Sequence, residues 1–232
     1  MPGSGRPRDI RLVVFDLDGT LIDSAGDIRT AVNRTLARLS PGVAPLALEK
    51  VRSFVGDGAK LLLERCLGEV GLDREPGSVL PLFLESYRGC LLDTTRLYPG
   101  VAETLLRVAD RHLAVLTNKP GEMSRTIVAG LGLEGRFVRV YGGDDLPARK
   151  PDPVGVVRLL DEVGVGPDQA AMVGDSAVDV RTGRAGGVLT VGVTYGFDTP
   201  RLLAEGPDLL VDDMRALPEA LDGSESPSDV LR

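Results

Sequence analysis

At 232 residues and 43% hydrophobic content, the chain can bury one sizeable core, or a core with a small accessory domain. A net charge of −7 excludes the broad basic surface that nucleic acid requires, so an anionic ligand must be met by a metal ion or a few local lysines and arginines. Two cysteines without zinc-ligand spacing, no apolar leader in "MPGSGRPRD" and no window as long as a membrane span predict a cytoplasmic protein that does not engage a membrane.

The apolar run "IRLVVF" predicts a first strand ending at Phe15. From there to about Asp93 no strand pattern occurs. Instead Ile28, Val32, Leu36 and Leu39 share one helix face, as do Ala59, Leu62, Leu63, Cys66 and Val70, and then Leu80, Phe83, Leu84, Tyr87 and Leu91. Strands and helices then alternate: a helix over Val101–Arg111, strands "HLAVLT" and "FVRVY", a helix over Val154–Val163, strand "AAMVG", a helix over Ala177–Ala185, strand "GVLTVGV" and a weaker "DLLV". This pattern predicts an α/β fold: a Rossmann-like parallel sheet with helices on both faces, and a small all-helical cap inserted after the first strand. The catalytic core is expected over residues 1–21 and 95–232, the cap over 22–94, and a polar disordered tail over 223–232.

In such sheets chemistry gathers at the carboxyl ends of the strands. Asp16 and Asp18 follow the first strand in "RLVVFDLDGTLID", where Gly19 permits a sharp turn. Taken alone, D-x-D-G is also the composition of an Asp-rich turn. In "AVLTNKPGE", Thr117 and Asn118 close a strand just before a helix start at Pro120 and Glu122. A hydroxyl, an amide and free N–H groups there make an anion cradle, with plain N-capping as the alternative. In "ARKPDPVGV", Asp152 at N-cap and Pro153 at N1 start a helix by ordinary rules, leaving Lys150 as a positive charge in the preceding loop. In "MVGDSAVDV", Ser176 and Asp179 match a capping box, so Asp175 is the carboxylate without a structural explanation and suits a magnesium ion.

The motifs "DLDGT", "LTN", the lysine of "KPDP" and "GDSAVD" stand in the order and spacing of the haloacid-dehalogenase-like hydrolase superfamily, which the chain resembles over nearly its whole length. The resemblance implies that Asp16 is a nucleophile forming an aspartyl-phosphate and that Asp18 is the general acid and base. It implies a Mg2+ ion held by the Asp16 and Asp175 side chains and the Asp18 backbone carbonyl, with Lys150 as the catalytic cation beside it. Thr117 and Asn118 would hold phosphoryl oxygens, and Asp179 would orient Lys150 or a metal-bound water. Haloacid dehalogenases and phosphonate hydrolases of this superfamily lack an acid at the second aspartate, so Asp18 favours phosphate-ester chemistry. The stretches "VRSFVGDGAKLLLER", "TNKP", "GGDDLPARKPDP" and "VGVTYGF" are further similar to phosphoglycolate phosphatases, implying hydrolysis of 2-phosphoglycolate to glycolate and phosphate. A pyrophosphatase or other small-metabolite phosphatase with the same cap, a phosphosugar mutase and a phosphate-binding regulator without turnover are the alternatives.

In the cap loop "FVGDGAK", Gly56 and Gly58 are expected to present N–H groups to a small carboxylate, with Lys60 or Arg52 adding charge. A glycine-rich turn with a solvated Lys60 is the alternative. Cap hinges are expected near Leu21–Ser24 and Asp93–Pro99. His112, Cys66 and Cys90 are expected to play no catalytic part, and Asp144 and Asp145 to shape a turn, while the sequence assigns Arg149 no role. The expected partner is a small phosphorylated metabolite, for a chain acting as a monomer or homodimer.

Overall fold

A computed structural model describes residues 8–223, so the expected polar tail lies, beyond Gly223, outside the described residues. Strand β1 (Leu12–Phe15) leads into the two-residue β2 (Ile22–Asp23) and then four helices, α1 (Ala25–Leu39), α2 (Leu48–Arg52), α3 (Ala59–Glu69) and α4 (Pro76–Arg88). The chain returns through β3 (Arg96–Leu97) and continues as α5 (Val101–Arg107), β4 (His112–Leu116), α6 (Gly121–Gly130) and β5 (Arg139–Tyr141). It ends with α7 (Val154–Val163), β6 (Ala170–Gly174), α8 (Ala177–Ala185), β7 (Leu189–Val193), α9 (Thr199–Glu205), β8 (Leu209–Val211) and α10 (Leu217–Asp222).

The six strands expected from the sequence form one parallel sheet in the order β5-β4-β1-β6-β7-β8. Leu12, Val14, Ala114, Leu116 and Met172 pack on one face against Val156 and Leu159 of α7. Val13, Phe15, Val115 and Val173 pack on the other, in the same cluster as Leu105 of α5 and Met123 and Ile127 of α6. A strand covered on both faces has no polar side, which is why "LVVF" reads as a continuous apolar run. Helix α5 ends at Arg107 rather than the expected Arg111, because the chain turns there, with Arg111 N–H donating to Val108 O, to enter β4. In α4 the innermost side chains are Val79, Phe83 and Tyr87, while the expected Leu80 and Leu84 are only partly buried.

Central β1 sets the position of the site. Phe15 lies opposite Val115 of β4 on one side and Val173 of β6 on the other. Asp16, Thr117 and Asp175 therefore leave the same edge of the sheet together, where the chain order reverses direction across it.

The β2–β3 pair was not legible as strand. Its antiparallel partners, Ile22 with Leu97 and Asp23 with Arg96, bring the entry and exit of the helical segment side by side. Asp27 of α1 locks that junction. Its buried carboxylate accepts the Thr94 and Thr95 N–H groups at 2.8–3.0 Å and their hydroxyls at 2.6 and 2.7 Å. Burial pushes the Asp27 pKa up, but these bonds outweigh it and hold the carboxyl below its ordinary value. Cys66 and Cys90 are buried as expected, burial pushing the Cys66 thiol up to about 12. No helix among the described residues is long and apolar enough to cross a membrane.

Candidate active site

After β1 the chain folds back sharply, with Gly19 N–H donating to Ile22 O at 2.9 Å. Gly19 has φ +88°, and a Cβ there would stand 2.2 Å from Asp175 Oδ2, so both conformation and space require glycine. The turn leaves Asp16 and Asp18 facing one cavity of about 50 Å³, room for roughly four water molecules. Thr117, Asn118, Gly56 and Gly58 line the same cavity, so the structure brings these expected residues together.

Behind Asp16 lies a buried charge network. Lys150 Nζ stands 2.9 Å from Asp16 Oδ1 and donates to Asp179 Oδ1 at 2.6 Å. Asp179 Oδ2 accepts the Ser176 hydroxyl at 2.6 Å and its N–H at 3.1 Å, the expected capping box. Asp175 Oδ2 accepts the Phe197 N–H at 2.6 Å, and Oδ1 accepts the Thr20 hydroxyl at 3.2 Å. Burial raises the Asp16 carboxyl to about 6 against the pull of Lys150, with Asp179 and Asp18 adding repulsion. Asp175 lies well above its ordinary value, through burial and then through Asp179 and Asp16. For Lys150, burial works against the ammonium, but Asp16 and Asp179 reverse it and raise the pKa.

These residues fit a divalent cation. Carboxylate oxygens of Asp16, Asp175 and Asp179 come within 4.8 Å of one another, all three residues buried. Asp16 Oδ1 has no aligned hydrogen-bond donor despite its ion pair with Lys150. Among the described residues four carboxylates, with Asp18, face two ammonium groups, Lys119 and Lys150, a local excess that a doubly charged ion cancels. An all-oxygen donor set suits a hard ion.

Other expectations are redrawn. Asn118 Nδ2 donates to Lys150 O at 3.1 Å and to Gly56 O at 3.2 Å, so its amide ties the loop between α2 and α3 to the sheet edge. Lys60, expected near the ligand, pairs instead with Glu75 at 3.4 Å and is 57% exposed, because its place on α3 aims it outward. Arg52 donates to Gly196 O at 2.8 Å and stacks over Phe197, reaching from α2 to the loop after β7. α7 begins one residue later than expected, at Val154, so Pro153 takes the N-cap and Asp152 stands just before it, its Oδ1 accepting the Val154 N–H at 2.9 Å. Asp144 accepts Gly121 N–H and Asp145 accepts Gly142 N–H, both at 2.7 Å, shaping the turn, and Arg149 donates to Gly143 O at 2.8 Å. His112 is exposed at the start of β4, at the opposite end of the strand from the site.

Sequence reasoning missed Lys119. Its buried ammonium donates to both Asp18 oxygens at 3.0 Å and to Tyr87 Oη of α4 at 2.5 Å. The Ser24 hydroxyl donates to Asp18 Oδ1 at 2.5 Å. One signal was available. A lysine just before the first turn of a helix opposes the helix dipole and needs another reason to be there.

A sequence model of the haloacid dehalogenase-like hydrolase family matches residues 13–193. The phosphoglycolate phosphatase of Pseudomonas putida is 42% identical over 89% of this chain and 78% of its own length. That of Rhodospirillum rubrum is 40% identical over 89% of both chains. The crystal structure of a predicted phosphoglycolate phosphatase from Haemophilus somnus superposes with a TM-score of 0.85 at 30% identity, covering 91% of this chain and 98% of the other. The four sequence motifs, their meeting at one sheet edge and these likenesses agree that the chain belongs to the haloacid dehalogenase-like hydrolase family.

Proposed function

We propose that the protein is a magnesium-dependent phosphatase that hydrolyses a small phosphate monoester, foremost 2-phosphoglycolate, in a cleft between a core of residues 1–21 and 95–232 and a cap of residues 22–94. One observation carries this reading: Asp16 and Asp18, side by side at the end of the central strand, face a single small cavity whose other wall is apolar and comes from the cap. A nucleophile and an acid on one side, with water excluded on the other, is what phosphoryl transfer through a carboxylate needs. The names of the relatives support the substrate.

Asp16 attacks phosphorus, the bond from phosphorus to the glycolate oxygen breaks, and Asp18 delivers a proton to that oxygen. Asp18 then takes a proton from the water that attacks the aspartyl-phosphate and frees Asp16. Magnesium bound by the Asp16 and Asp175 carboxylates and the Asp18 carbonyl supplies the charge that lets a carboxylate approach a phosphate dianion. Lys150, held by Asp179, keeps Asp16 oriented and offsets its charge. Thr117 borders the phosphoryl oxygens, Asn118 ties the cap loop down beside them, and Gly56 and Gly58 bring the cap's backbone N–H groups to the leaving group. The cap lies over the site and opens and closes around the substrate, hinged at the β2–β3 pair. The protein acts in the cytoplasm, as a monomer or homodimer.

Phosphate release with magnesium tests the reading, using 2-phosphoglycolate, 3-phosphoglycerate, pyrophosphate and two sugar phosphates, with Asp16→Asn as the blank. A kcat/KM for 2-phosphoglycolate at least ~100-fold above the rest, roughly 2.7 kcal/mol of discrimination, supports it. A flat profile, or a preference for pyrophosphate or a sugar phosphate, overturns the substrate.

A further inference from the structure

We infer that Lys119 determines specificity by binding the substrate's carboxylate, which selects phosphate esters whose carboxylate lies one carbon from the ester oxygen; the inference rests on the phosphatase reading above. Among the described residues lining the cavity, Lys119 is the one cation. Lys150 is engaged with Asp16 and Asp179, Arg52 with Gly196 O and Lys60 with Glu75, and Arg149, which reaches the edge of the cavity near Gly58, donates through Nε to Gly143 O. On the facing wall Ile28, Val55, Leu62 and Phe83 offer an anion nothing, and the neutral N–H groups of Gly56 and Gly58 cannot offset its charge. A carboxylate entering this space loses its water and is repelled by Asp18 unless a buried cation receives it.

The distances fit a short substrate. Lys119 Nζ is 3.0 Å from each Asp18 oxygen, so the group that protonates the ester oxygen and the group that holds the carboxylate are neighbours. One methylene separates those two features in 2-phosphoglycolate. The three ammonium donors go to Asp18 Oδ1, Asp18 Oδ2 and Tyr87 Oη. Asp18 Oδ1 also accepts the Ser24 hydroxyl at 2.5 Å. Lys119 therefore has a donor to transfer to an incoming carboxylate while Ser24 keeps Asp18 in place. Tyr87, whose ring centroid is 4.5 Å from Nζ, ties the orientation of Lys119 to the seating of α4.

The test compares kcat/KM for 2-phosphoglycolate and for ethyl phosphate, its counterpart without the carboxylate, in the full chain with magnesium. Lys119→Met is expected to lower the ratio of the two values at least ~30-fold, the size of one lost charge-assisted bond, with a raised KM for 2-phosphoglycolate. Lys119→Arg is expected to restore part of the ratio. Equal losses on both substrates would overturn the inference, because Lys119 would then serve Asp18 alone. Should Lys119→Met fail to fold by circular dichroism, Tyr87→Phe replaces it: a fall of about 3-fold in the ratio supports the inference and an unchanged ratio overturns it. A wild-type enzyme without preference for 2-phosphoglycolate over ethyl phosphate overturns the substrate reading itself, and the inference with it.

Discussion

Asp179 receives the Lys150 ammonium on one carboxylate oxygen, at 2.6 Å, while Ser176 fixes the other. The pair is buried, so Lys150 is aimed at Asp16 by a partner that cannot swing away. Removing one member of a buried pair costs about 3–5 kcal/mol. Asp179→Ala is therefore expected to lower the unfolding free energy measured in urea by that order. Asp179→Asn, which keeps the shape, should unfold closer to wild type yet lose about 10- to 100-fold in kcat. A variant with full kcat would show that Lys150 does not need this support.

Gly19 sets the position of Asp175. With a Cβ placed 2.2 Å from Asp175 Oδ2 at φ +88°, Gly19→Ala must displace either the turn or the carboxylate. The magnesium concentration for half-maximal activity is expected to rise about 10- to 100-fold. Activity titrated against magnesium reads this directly, and an unchanged half-point would separate Gly19 from the metal.

Metal removal is expected to abolish activity and to lower stability. An ion that binds only the folded state at about 100 times its Kd adds about 2.7 kcal/mol. Thermal unfolding with chelator and then with excess magnesium should show the rise for wild type and its loss in Asp175→Asn. A melting temperature that ignores magnesium in the wild type contradicts the reading of the acidic cluster.

The Asp27 clasp gives a pH dependence whose sign is fixed. Its folded pKa is lower than in the unfolded chain, so the unfolded state binds more protons and acid weakens folding. The contribution is fully present above the unfolded value of about 3.9 and is lost as the pH falls through the depressed folded value. Asp27→Asn is expected to cost roughly 1.5–3 kcal/mol at pH 7. The gap to wild type should close in acid, and urea unfolding at a series of pH values measures it. A gap constant with pH would assign the loss to shape rather than charge.

The sheet was legible because strands buried on both faces are long apolar runs with glycine, proline or charge at their ends, as at "LVVF" and "AAMVG". Asp16, Asp18, Thr117 and Asp175 were legible because each stands where such a run stops, and Lys150 because the helix start at Asp152 and Pro153 left it unexplained. Two residues are too few for a pattern, so β2 and β3 emerge only when the chain meets itself. Asp27 looks like any acid in a first helical turn, since its partners Thr94 and Thr95 lie far along the chain. Lys60 shows the reverse error. Its place in a glycine-rich loop suggested the site, but the turn of α3 points it at Glu75. Lys119 needed the structure too, because its burial by Tyr87 depends on α4, which packs against α1 and α3, reaching over the site.

The most direct test of the account is a rapid acid quench of the enzyme during turnover of 2-phosphoglycolate carrying labelled phosphorus, with the labelled peptide then mapped. The account predicts label as an acyl phosphate on Asp16, formed with magnesium and absent in Asp16→Asn. Turnover at full rate with no label on Asp16, or with label on another residue, would contradict it.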